Sequence, residues 1–184
     1  STWDMADHYG PAERFFGELI RRLISIHGIN STTEIQAFTK WVPPPGPIDK
    51  DLVHTSIDRS LQRMNVDKLD LLQFHWWDYH DLNYLNALNY LSEISHEGKI
   101  RYLGLTNFDT KHLLNILGNG VDVVSNQVQY SIVDRRPEKQ MIPFCQKNGV
   151  WIIAYGSLCG GLLTEKYLGQ PEPTNIALNT ASLR

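Results

Sequence analysis

The chain has 184 residues, a formal net charge of −3, 42% hydrophobic residues and 20% charged ones. That length suits one domain, and that balance supports a packed core and excludes a disordered chain. The weak acidity gives no reason to expect nucleic acid or an acidic membrane as partner, and the longest apolar runs are too short to cross a bilayer.

In chain order, Thr2 to Met5 reads as the tail of a strand, and Asp7-His8-Tyr9-Gly10-Pro11 as turn chemistry. A helix is expected next, with Phe15, Phe16, Leu19, Ile20, Leu23 and Ile24 on its apolar face and Gly28 as its stop. Glu34 to Thr39 is a strand that ends in Lys40, and the prolines around Gly46 make a loop. Asp49 or Asp51 caps a helix facing inward through Leu52, Val53, Ile57, Leu61 and Met64. Leu69 to Phe74 reads as a buried strand in which Leu71, Leu72 and Phe74 form a nearly continuous apolar run, interrupted by Gln73, as in parallel strands covered on both faces. It stops at His75, Trp76 and Trp77.

The second half keeps the same alternation. A helix after Asp81 points Leu82, Leu85, Leu88 and Leu91 inward, and a strand from Ile100 to Leu105 ends in Thr106-Asn107. Asp109 caps a short helix with Leu113, Leu114 and Leu117 inward. Val121 to Ser125 is expected as a strand ending near Asn126-Gln127, and Arg136 to Lys147 as a helix broken by Pro143. Val150 to Ala154 is a strand ending in Tyr155, and the tail from Gly156 shows no clear strand or amphipathic helix.

Strand and helix therefore alternate throughout, which predicts a parallel sheet with right-handed crossovers. A doubly wound nucleotide fold would carry a glycine fingerprint after its first strand, and none is present. Polar residues close nearly every strand, as at the mouth of a (β/α)8 TIM barrel. About six units are legible, so the expected fold is a truncated barrel: one incomplete domain over 1–184, with 156–184 as a loop and irregular tail.

If the strand ends converge, Asp4, Tyr9, Lys40 and His75 share one cavity. A free phenol has a pKa near ~10, too high for easy proton exchange at neutral pH. A nearby ammonium would lower it, and a carboxylate would hold the ammonium in place. A histidine could then orient a carbonyl oxygen. Such a set lacks a source of hydride, which a nicotinamide cofactor would supply.

The motifs resemble those of the aldo/keto reductase family. WDMADHYG resembles its Asp-x-Ala-x-x-Tyr segment and implies Asp4 and Tyr9 as catalytic aspartate and tyrosine; FTKW implies Lys40, and DKLDLLQFHW implies His75. GKIRYLGLTNF resembles the second signature, with Thr106 in place of the usual serine. SNQVQY and AYGSLCGGLL resemble segments that touch the nicotinamide. Thr106, Asn107 and Gln127 would thus bind the cofactor, Tyr155 would stack on its ring, and the loop starting at Gly156, Ser157 and Leu158 would follow the pyrophosphate. Trp41, Trp76 and Trp77 suggest an aromatic substrate wall, although Trp77 stands where the family commonly has proline.

The resemblance implies an oxidoreductase passing a hydride from NADP(H) to a small-molecule aldehyde or ketone, with Tyr9 as general acid. NAD(H) stays open, because the family's segment for the adenosine 2′-phosphate is not within this sequence. A cofactor-sensing regulatory or scaffold protein, or an inactive fragment, are the alternatives. No metal site is expected. Cys145 and Cys159 lack zinc-ligand or CxxC spacing and read as free thiols; with no leader at Ser1, the expected compartment is the reducing cytoplasm. The sequence leaves the substrate and the oligomeric state open.

Overall fold

The structure is a computed structural model and describes residues 1–171. Six strands form one parallel sheet: β1 (Thr2–Asp4), β2 (Gln36–Trp41), β3 (Leu69–His75), β4 (Ile100–Thr106), β5 (Ser125–Gln129) and β6 (Trp151–Tyr155). Five α-helices alternate with them: α1 (Ala12–His27), α2 (Lys50–Met64), α3 (Asn83–His96), α4 (Thr110–Gly118) and α5 (Met141–Asn148). Every strand pairs with the one before it, in the order β1-β2-β3-β4-β5-β6. A doubly wound sheet would reverse direction at a switch point; this one advances monotonically, as barrel strands do.

The sheet is curled. Asp4 on β1 and Gln127 on β5 lie four strands apart, which in a flat sheet means roughly 19 Å at ~4.8 Å per strand. Their side chains are nevertheless 2.8 Å apart. Residue alternation sorts the two faces. Gln73 points into the concave side toward Asp4, while Phe74 packs outward among Trp41, Trp76 and Phe108. Phe108 in turn meets Tyr84 of α3, so the main core lies between sheet and helices.

Asp49 caps α2, accepting from the Leu52 N–H at 2.8 Å, and Asp109 caps α4 through the His112 N–H at 2.8 Å. Several expectations are corrected. Phe15 is 69% exposed, and α1 faces inward through Glu13, Phe16, Gly17 and Ile20 instead. Leu82 and Leu114 are exposed, while Tyr84, Ala87 and Ile116 fill the inner positions. β5 is not Val121–Ser125 but the polar Ser125–Gln129; Val121 and Val123 enter the core from the preceding loop. The helix expected over Arg136 to Lys147 is a 3-10 turn at Arg136–Glu138 followed by α5. Pro143 sits in the first turn of α5, where its missing N–H costs no helical bond. The expected tail lies within the described residues only as far as residue 171, and there it forms 3-10 turns at Cys159–Gly161 and Glu165–Tyr167.

Candidate active site

The site is built on the concave ends of the strands. Asp4, the last residue of β1, is its hub. Its Oδ1 accepts from Lys40 Nζ at 2.8 Å and from Gln73 Nε2 at 2.6 Å, and its Oδ2 accepts from Gln127 Nε2 at 2.8 Å. Lys40 Nζ also donates to the Met5 carbonyl at 3.1 Å. The lysine side chain is 4% exposed, so its ammonium requires these partners. Four strands thus contribute to one carboxylate.

Tyr9 follows on the β1–α1 loop, which continues the pairing with β2: the Met5 N–H donates to the Phe38 carbonyl and the Asp7 N–H to the Lys40 carbonyl. The Tyr9 ring lies over the ammonium, 5.4 Å from Lys40 Nζ to the centroid, and is half exposed. Contrary to the sequence-based expectation, the phenol pKa is raised. Burial is the main cause, followed by the negative charge of Asp4 and by Tyr155. Lys40 stands under the ring and its charge is spent on Asp4, so the carboxylate prevails at the hydroxyl.

Behind this loop lies a group that the sequence pattern did not reveal. Glu13 of α1 is 2% exposed; it accepts from Thr39 Oγ1 at 2.8 Å and from Arg63 Nη1 at 3.3 Å. Arg63 Nη1 also donates to the Asp7 carbonyl at 3.3 Å. A buried carboxylate therefore ties α1 to α2, to the residue before Lys40, and to the loop that carries Tyr9.

His75 closes β3, with its ring centroid 4.5 Å from that of Trp77. It lines a cavity of about 820 Å³ together with Trp76, Trp77, Tyr79, Asn107 and Tyr155. Asp4, Tyr9, Lys40, Thr106 and Gln127 do not line this space. Asn107 adopts φ +62°, uncommon for a non-glycine residue, and is held on three sides. Its N–H donates to the Gln127 carbonyl, its carbonyl accepts from Tyr79 Oη, and its Oδ1 accepts from Tyr155 Oη at 3.0 Å. Burial foremost raises the Tyr79 pKa, with Asp109 and Tyr155 adding to it.

Of the residues implied as cofactor ligands, Thr106 presents a buried hydroxyl without a hydrogen-bond partner, a feature that fits a bound polar group. The Gln127 amide nitrogen is engaged by Asp4. Gly156 takes φ +64° against Gln129, Leu158 is exposed, and Ser157 lines a separate concavity with Tyr130, Ser131 and Arg135. Among the tryptophans, Trp41 is corrected: it is 2% exposed and packs on Phe74, so it supplies core rather than pocket wall. Trp76 is also largely buried, and its indole N–H donates to the Asp78 and Asp81 carbonyls, bracing the loop whose surface Trp77 presents.

A sequentially ordered parallel half-barrel with polar strand ends gathered around one carboxylate has the layout of part of a (β/α)8 barrel. Residues 1–180 match the model of the aldo/keto reductase family, and the chain belongs to that family. It is 32% identical over 120 residues to the NADH-specific methylglyoxal reductase of Escherichia coli, covering 64% of this chain and 36% of that protein. It is 29% identical over 187 residues to the chloroplastic pyridoxal reductase of Arabidopsis thaliana, covering 95% and 51%. Among solved structures, an aldo/keto reductase from Klebsiella pneumoniae in complex with NADP and acetate superposes with a TM-score of 0.74 at 27% identity, covering 94% of this chain and 58% of the other. The chain thus spans about half the length of such relatives.

Proposed function

We propose that the protein is an oxidoreductase that reduces a small-molecule aldehyde or ketone with a nicotinamide cofactor, NADPH or NADH, and that residues 1–184 belong to a single, incomplete barrel domain of it. The observation that carries this reading is the pairing of the buried Lys40 ammonium with the Asp4 carboxylate beside the ring of Tyr9. Membership of the family, one relative described as NADH-specific and a structural neighbour holding NADP support the cofactor class. The bound cofactor supplies the hydride. Thr106, Asn107, Gln127 and Tyr155, with the loop at Gly156, Ser157 and Leu158, are the residues proposed to hold it.

Tyr9 is the general acid. Its raised pKa keeps it protonated at neutral pH, so it can give a proton to the developing alkoxide. Asp4 and Lys40 fix the floor on which the phenol rests, and Gln73 and Gln127 fix Asp4. His75, held against Trp77 at the cavity wall, orients the carbonyl oxygen. Trp76 and Trp77 bound the substrate space. Cys145 and Cys159 are free thiols, in keeping with a reducing cytoplasmic setting, and among the described residues no helix is long and apolar enough to cross a membrane.

The test is steady-state turnover over an aldehyde panel with NADPH and NADH, comparing the full-length protein with its Tyr9→Phe variant. Loss of a general acid lowers kcat by about 100-fold to 10,000-fold while leaving cofactor affinity in place. A variant that keeps the wild-type kcat removes Tyr9 from the role. A wild-type protein that binds cofactor but turns over no carbonyl substrate favours the cofactor-sensing reading.

A further inference from the structure

The outer surface between α1 and α2 holds a concavity of about 520 Å³ lined by Arg14, Arg21, Arg59, Gln62 and Arg63. No carboxylate is among its lining residues. The arrangement follows from helical spacing. Arg14 and Arg21 are seven residues apart on one face of α1, and Arg59, Gln62 and Arg63 stand at i, i+3 and i+4 on α2. The two faces are held together closely: a Cβ on Gly17 would lie 2.2 Å from the Arg63 carbonyl oxygen.

The charge balance singles this cleft out. Arg21, Arg22, Arg63, Arg101, Arg135 and Arg136 each have a carboxylate oxygen within 4.0 Å. Among the described residues, Arg14 and Arg59 have no such partner, and both line this one concavity. Arg21 shares Glu18 with Arg22, so a single carboxylate serves two guanidiniums there. Arg63 is anchored from behind by buried Glu13, which fixes the fork it contributes. Guanidiniums repel one another when gathered without counter-charge, and their planar forks match the oxygens of a phosphate group. The overall charge of −3 conceals this local excess.

We propose that the α1–α2 cleft is a binding site for a phosphate-type oxyanion, with Arg14 and Arg59 as its principal ligands and Arg21 and Arg63 as its walls. The site lies outside the proposed catalytic cavity and stands independently of the reaction assigned there. Its volume admits more than the bare anion, so the natural ligand is either free phosphate or the phosphate end of a small molecule.

The test is calorimetric titration of the chain at low ionic strength with inorganic phosphate and, separately, glycerol 3-phosphate, each against chloride of matched ionic strength. Both wild type and R14Q/R59Q are titrated, with R101Q, whose arginine lies outside the cleft, as control. We expect phosphate-specific binding that weakens about tenfold or more in R14Q/R59Q and is unchanged in R101Q. Tighter binding of glycerol 3-phosphate than of phosphate assigns the site to a phosphorylated molecule, and the reverse order to the free anion. Heats no larger than those of chloride in the wild type, or equal affinities in wild type and R14Q/R59Q, overturn the proposal. Both substituted arginines are exposed, and circular dichroism verifies that each variant is folded.

Discussion

Glu13 and Arg63 are the residues whose removal should most disturb the frame behind Tyr9. In Glu13→Ala, Thr39 Oγ1 loses its acceptor while its residue stays fully buried, which costs about 1–3 kcal/mol. The released Arg63 is a smaller burden. Its side chain is 28% exposed and can turn to water, so its share is discounted to about 1 kcal/mol or less. Together these give a loss of about 1–4 kcal/mol. Glu13→Gln keeps an acceptor for Thr39 and the side-chain volume, and should cost about 1–2 kcal/mol. Arg63→Gln works the other way. It strands a carboxylate that is 2% exposed, so the full penalty for breaking a buried pair applies, about 3–5 kcal/mol. The partners are therefore unequal, and Arg63→Gln should destabilise more than Glu13→Gln. The double variant should recover about 1–3 kcal/mol of the summed loss. Urea unfolding at neutral pH, with m-values compared across the set, measures all four. Additivity within about 0.5 kcal/mol, or a Glu13→Gln variant less stable than Arg63→Gln, would refute the reasoning that burial of the acid decides the cost.

Three further outcomes are expected. Gly17→Ala places a Cβ 2.2 Å from the backbone oxygen of Arg63, so α1 and α2 must separate; the loss should be about 1–3 kcal/mol in the same unfolding assay, and a neutral substitution would contradict the contact. The proposed reduction needs Tyr9 protonated, and burial holds its pKa above the ordinary tyrosine value of about 10. Activity should therefore be present below that pH and fall only as pH rises past it, whereas a descending limb below pH ~9 that vanishes in Tyr9→Phe would contradict the raised pKa. Cys145 is 1% exposed with its thiol pushed up to about 11, while Cys159 is partly exposed, so a thiol reagent at pH 8 should label Cys159 first and Cys145 only on unfolding; peptide mapping after a short exposure decides this.

The legibility of this fold followed its burial pattern. β3 stood out because a strand covered on both faces reads as an apolar run, and its end marked His75; β4, with Arg101 and Tyr102 exposed, is buried from Leu103 to Thr106, and its end marked Thr106. β5 did not, since its paired residues are Ser125, Asn126, Gln127, Val128 and Gln129, while the apolar Val121 and Val123 beside it serve the core from a loop. Asn126 is buried because its amide donates to the Phe108 carbonyl, and Gln127 because it reaches Asp4, partners 18 and 123 residues away. No local period encodes such distances. The same holds for α1, where Glu13 is inside and Phe15 outside; the reversal depends on Thr39 and Arg63, both remote in the chain. Gln73 did leave a trace, as the one polar residue within an apolar run. A lone amide at such a place has to find a buried partner, and Asp4 is that partner.

The convergence on Asp4 changes how the proposed chemistry divides among its residues. An ammonium beside a phenol would by itself favour phenolate and lower the phenol pKa. Here the ammonium of Lys40 is bonded to a carboxylate and a carbonyl, so it acts within a nearly neutral pair rather than as a bare charge. Asp4 then counts among the causes that raise the Tyr9 pKa, alongside the burial of the ring itself. A tyrosine in that setting keeps its proton and suits the reduction of a carbonyl, where the acid must hold a proton until oxygen gains charge. The reverse oxidation begins by taking a proton from an alcohol, and for it the same pKa is unfavourable at neutral pH. Releasing Asp4 from Gln73 or Gln127 would leave its charge less shared and should raise the phenol pKa further.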